Sequence, residues 1–143
     1  MIMVKVAVLY LVFLLPLFLL NVHGSQTVSE QNAKQTVARY LEAQRQGDTA
    51  TMKSLTAGDL RKDKAPLLSN PSYPAYLSET FAHVDVAIDW AKALSPGKAL
   101  VQASMTYRPG DTVRRHYVLY ERAEEGAATS TFLIHEEYDP DFR

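Results

Sequence analysis

The spacing of apolar residues changes once along this chain, and that change sets its fold class. Ala33, Val37, Tyr40 and Leu41 recur at helical spacing and form one stripe of an amphipathic helix. Further on, Val84, Val86, Ile88 and Trp90 alternate with Asp85, Ala87 and Asp89, the period of a half-buried strand. Helices first and strands afterwards predict an α+β domain: N-terminal helices packed on a curved antiparallel sheet of about four strands.

Local signals refine the plan. Thr27-Val-Ser-Glu30 reads as a capping box that opens the first helix. Gly47 ends that helix, and Asp48 or Thr49 caps a short second one carrying Ala50, Met52 and Leu55 and ending near Gly58. Pro66, Pro71 and Pro74, with Ser69 and Asn70, predict a loop over Asp59 to Pro74, and Ala75 to Phe81 a third short helix. Pro-Gly turns at Ser95–Lys98 and Arg108–Asp111 separate a strand ending near Trp90 from Leu100–Tyr107 and from Val113–Arg122. Glu125 and Gly126 mark the last reversal, before a strand over Thr129–Tyr138.

The first residues carry an address. Lys5 precedes an apolar run from Val6 to Leu20, and Val22 and Gly24 suit the positions read by a signal peptidase. Residues 1–24 are expected to be a signal peptide cut before Ser25, leaving 25–143 as a single domain. The alternative is an uncleaved anchor, for which the run is short and interrupted by Pro16. Either way the domain is exported, to the periplasm or the extracellular space. The chain has no cysteine, which excludes disulfides, thiolate chemistry and a lipobox, and favours a bacterial envelope. With 15 basic and 16 acidic residues there is no positive excess to attract phosphates, so nucleic acid is not an expected partner. Arg61-Lys-Asp-Lys64 reads as a solvated loop.

The run from Val37 to Met52, a helix ending in Gly47-Asp48 before a second short helix, resembles the opening of NTF2-like (cystatin-like α+β cone) domains, and the later strands fit the same plan over most of Val28 to Tyr138. In the last strand, where many members carry a tryptophan, Phe132 stands here. The resemblance implies helices set into the concave face of the sheet with a cavity at one end. It also implies pairing through the outer face. The superfamily holds enzymes, ligand-binding domains and scaffolds, so the fold alone leaves the activity open.

If both Pro-Gly turns are two-residue hairpin loops, the strands can be placed in register. Trp90 then faces Ala103, Ala103 faces His116, and a two-residue loop at Glu125-Gly126 brings His116 opposite His135 and Arg114 opposite Glu137. This predicts an inner face with Trp90, His116 and His135 in a row, Arg114 and Glu137 beside it, and Tyr40 from the first helix. The predicted core is Val86, Ile88, Trp90, Val101 and Met105 against Val37, Tyr40 and Leu41. Leu100, Tyr117, Leu119, Phe132 and Ile134 would line the outer face, an apolar surface suited to a homodimer or an envelope partner. A three-residue third loop or a bulge would instead turn Phe132 and Ile134 inward and His135 outward.

Two histidines and a glutamate offer metal ligands, but no tight ligand spacing supports a metal site, and no cofactor is implied. The residues favour a non-enzymatic domain that binds a small apolar ligand or an envelope protein. The alternatives are a cofactor-independent isomerase or cyclase using His116 or His135 as general base, and a membrane-anchored assembly scaffold.

Overall fold

A computed structural model describes residues 28–122 and 131–142. Helix α1 runs over 28–46, and is followed by α2 (Thr49–Ser54), α3 (Gly58–Leu68) and α4 (Tyr73–Phe81). Strands β1 (Asp85–Ser95), β2 (Lys98–Arg108), β3 (Asp111–Arg122) and β4 (Thr131–Tyr138) then form an antiparallel meander in the order β1-β2-β3-β4. The class is α+β, helices followed by an open curved sheet. The signal-peptide and anchor expectations, Thr27, and the reversal at Glu125-Gly126 lie outside the described residues. No helix among the described residues is long and apolar enough to cross a membrane.

The stripe of α1 is buried as its spacing predicts: Ala33, Val37, Tyr40 and Leu41 are at most 1% exposed. Thr36 ties it to β4 by donating from Oγ1 to the Phe132 carbonyl at 3.3 Å. Glu30 Oε1 accepts the Ala93 N–H at 3.3 Å, fastening the start of the helix to the edge strand β1. The helix stops at Gly47, whose φ of 70° lets the Asp48 N–H reach the Ala43 carbonyl and its own N–H reach that of Gln44. Asp48 then caps α2, accepting from the Thr51 backbone N–H at 3.0 Å and from its hydroxyl at 2.6 Å. These two hydrogen bonds, the hydroxyl first, hold the Asp48 carboxyl below its ordinary range.

Residues 59–74 are not one loop. Most of the first two-thirds is α3, which contains Pro66. Pro66 supplies no N–H to the carbonyl one turn earlier, and α3 runs only two residues beyond it. The Ser69 N–H closes the last turn on the Ala65 carbonyl at 3.1 Å. Between α2 and α3, the chain makes one parallel bridge to β4, Thr56 to Ile134, with the Ala57 N–H donating to the Ile134 carbonyl at 2.9 Å.

The sheet corrects the expected register. Both Pro-Gly tips are two-residue loops, with Ser95 opposite Lys98 and Arg108 opposite Asp111. Irregularities just beyond them move the pairing by one residue: between Ala93 and Ser95, between Ile88 and Trp90, and between Thr106 and Arg108. A further shift falls between Val118 and Leu119, where β4 carries His135 as the extra residue. Such bulges bend a strand and increase its twist, which lets the sheet curve around the helices. Because side chains alternate with period two, each one-residue shift exchanges the faces.

Trp90 therefore pairs with Gln102, not Ala103, and is 36% exposed on the face away from the helices. His116 pairs with Gln102 and Tyr138, and Arg114 with Ser104. The inner face is made by Ala99, Val101, Ala103 and Met105 on β2 and by Tyr117 and Leu119 on β3. Phe132 and Ile134 complete it on β4, and all eight are buried. Of the residues expected on the outer face, Tyr117, Leu119, Phe132 and Ile134 thus lie in the core, and only Leu100 faces outward, opposite Val118. Of the predicted core, Val37, Tyr40, Leu41, Val101 and Met105 are buried, Val86 and Ile88 pack against it half-buried, and Trp90 is outside it.

Candidate functional site

One end of the helical layer does not close on the sheet, and a cavity of about 610 Å³ remains there. Its helical wall comes from Gln44 on α1, Lys64 and Leu67 on α3, and Tyr73, Tyr76 and Phe81 on α4. The sheet supplies Met105, Tyr107, Arg115 and Glu137 from its inner face. The volume falls within the range of sites that enclose a small organic molecule.

Aromatic rings form much of the mouth. Tyr73 and Tyr76 stack at 5.9 Å with their planes 16° apart, and Phe81 meets Tyr107 at 6.3 Å. Tyr76 is 56% exposed, so an apolar ring stands open to an incoming molecule.

The inner wall is polar and ordered. Glu137 pairs with Tyr117 across β3 and β4. Its Oε1 accepts from the Tyr117 hydroxyl at 3.3 Å and its Oε2 meets Lys64 Nζ at 3.2 Å. Tyr40 lies edge-on to Tyr117 at 6.2 Å, and its buried hydroxyl has no hydrogen-bond partner. Burial, and then the negative charge of Glu137, push both phenols well above their ordinary pKa, so both remain neutral donors. Burial raises Tyr107 as well, against the opposing pull of Arg115.

The residues expected to share one pocket are divided by the observed register. Glu137 lines the cavity, whereas Tyr40 lies in the core behind it, edge-on to Tyr117, and is not part of the lining. Arg114 points to the opposite face, where it pairs with Asp141. His116 is on that face too, in a directed chain of hydrogen bonds. Gln102 Nε2 donates to Asp89 Oδ2 at 2.9 Å, as does Ser104 Oγ at 2.6 Å. Its amide oxygen is thereby turned to His116 Nε2, 2.9 Å away, and the Tyr138 hydroxyl lies 3.3 Å from Nδ1. Trp90 and Tyr138 both meet the imidazole edge-on, at 5.4 and 5.3 Å. His135 is elsewhere again: it sits edge-on to Tyr120 at 4.7 Å and lines a shallower hollow of about 450 Å³ with Ala57, Arg61 and Leu133. The row Trp90, His116, His135 does not exist, and neither histidine lines the larger cavity. Among the described residues no three His, Asp or Glu side chains converge as metal ligands.

Sequence reasoning missed Lys64 and Arg115. Lys64 was hidden by reading 59–74 as a loop. Its signal is the i, i+4 series Leu60, Lys64, Leu68, a helical face that is buried or half-buried at each step. Arg115 faces inward because the observed register differs by one residue from the one that puts its neighbour Arg114 there.

No protein family, curated protein or solved structure matches the chain.

Proposed function

We propose that the chain is an exported binding domain of NTF2-like plan that takes a small, partly apolar molecule in the cavity between α3, α4 and the inner sheet face. The observation that carries this reading is the composition of the cavity wall. Aromatic side chains form an open mouth, while a few polar groups, Lys64, Arg115 and Glu137, converge behind it from α3 and the sheet. Flat rings stack on exposed tyrosines, and a few convergent polar groups orient them.

Binding is preferred to catalysis because the isomerase or cyclase reading depended on a histidine in the pocket, and His116 and His135 both lie outside it. Pairing through an apolar outer face loses its support for a similar reason: four of the five side chains expected there are core residues. The experiment is a titration of the full chain with 2-naphthalenemethanol, a flat neutral probe. Saturable binding to the wild type that is lost in Leu67→Trp, which fills the mouth from an exposed position, supports the reading. Equal binding by both chains contradicts it.

A further inference from the structure

We infer that the ligand of this cavity is a monoanion, a flat apolar carboxylic acid, and that Arg115 receives its charge. The inference rests on the reading of the cavity as a binding site and names the chemical class it selects.

Three charged side chains line the cavity: Lys64, Arg115 and Glu137. Glu137 already has a partner on each oxygen, Lys64 on one and the Tyr117 hydroxyl on the other. Arg115 is the cation left over. It is half-buried and, among the described residues, makes no hydrogen bond or ion pair. The adjacent Arg114 shows the contrast: it faces solvent and is nevertheless paired, with Asp141. A partly desolvated guanidinium is ordinarily satisfied by a carboxylate or phosphate. Here the lining offers no second acid, so the cavity holds one uncompensated positive charge.

The chemistry of that charge selects the ligand. A guanidinium presents a planar fork of donors that matches the two oxygens of a carboxylate. Arg115 stands opposite Ala103 on the inner face, so a short neighbour on β2 leaves the fork uncrowded from that side. An acid seated on Arg115 has Tyr107 and Met105 beside it and the Tyr73–Tyr76 stack at the mouth.

The test compares 2-naphthoate with 2-naphthalenemethanol, equal in shape and different in charge, on the full chain at neutral pH. The wild type should bind the acid about tenfold more tightly than the alcohol, or better, the factor a charge-assisted hydrogen-bonded pair supplies. Arg115→Met should bring the acid-to-alcohol affinity ratio down to about one, with the circular dichroism spectrum of the wild type reporting that the variant is folded. Arg114→Gln should leave the preference intact. As a second readout that needs no variant, added sodium chloride should weaken the acid and not the alcohol. Equal affinities in the wild type, a preference that survives in Arg115→Met, or one that ignores salt overturns the inference and leaves the cavity reading standing. Failure of both probes to bind the wild type overturns both.

Discussion

Tyr117 and Glu137 stand directly opposite each other on β3 and β4, and the phenol donates to the carboxylate at 3.3 Å inside the helical layer. This pair joins the core to the cavity. Tyr117 is fully buried, while Glu137 lines the cavity and takes Lys64 from α3 on its other oxygen. The sheet, the third helix and the candidate site thus meet at one carboxyl group.

Removing that group should therefore be felt as stability. Glu137→Leu leaves the buried Tyr117 hydroxyl without an acceptor and Lys64 without its counter-charge, and should cost about 1–3 kcal/mol. Glu137→Gln should cost less, because the amide oxygen still accepts from Tyr117. Urea denaturation midpoints of the two variants check the order. A Glu137→Leu chain as stable as the wild type would mean that the inner wall is not organised by this residue.

Alkaline pH should destabilise the fold through Tyr40 and Tyr117. Both phenols are raised above the ordinary value of 10.0, chiefly by burial. Their contribution is fully present below that value. Above it the unfolded chain loses protons that the folded chain keeps, so stability falls as pH rises toward the folded-state pKa values. A spectrophotometric titration of the phenols should show two that ionise only together with unfolding. Smooth titration of every tyrosine in a chain that stays folded would contradict the burial.

The bulged register predicts an inversion of the usual tryptophan effect. Trp90→Ala should cost about 1 kcal/mol, as for a half-exposed side chain, whereas Phe132→Ala should cost about 3–5 kcal/mol as a core truncation. Trp90 is the only tryptophan in the chain, so its fluorescence should be readily quenched by acrylamide. A shielded Trp90 with a costly truncation would restore the unbulged pairing.

Gly58 and His135 give a local test of the contact between the start of α3 and β4. Gly58 has a φ of 58°, and a Cβ built there would lie 2.6 Å from His135 Nδ1. Gly58→Ala should cost about 1–2 kcal/mol from the left-handed backbone alone, and more from the clash. Adding His135→Ala should recover the clash part and not the backbone part. Differential scanning calorimetry of the single and double variants separates the two. A double variant no better than Gly58→Ala would place the imidazole elsewhere.

What could be read from the sequence depended on how each signal is encoded. The α1 stripe, the Gly47 stop and the Asp48 cap are local, and each is present in the fold. So are the two-residue Pro-Gly tips, since proline and glycine dictate their own turn geometry. The faces of the strands are encoded by parity alone. A single extra residue, such as His135 on β4, leaves no mark in composition yet exchanges inner for outer side chains beyond it. Alternation gave no arbiter on β3, because Tyr117, Val118 and Leu119 are all buried in succession. Glu137 lines the cavity, while Tyr40, expected beside it, is a core residue behind the wall. Trp90, Arg114 and His116 moved to the opposite face by parity, and His135 left the pocket as the extra residue of its bulge. Pro66 misled for a different reason: a proline marks where a helix is weakened, and here α3 extends through it and ends two residues later.

The most direct test of the account is a map of ligand contacts on the full chain. Backbone and side-chain NMR shifts should be followed during titration with 2-naphthalenemethanol. The account predicts that the largest changes fall on Lys64, Tyr73, Tyr76, Tyr107, Arg115 and Glu137. Changes centred on Trp90, His116 and Tyr138, with the cavity residues silent, would contradict it and move the binding site to the opposite face of the sheet.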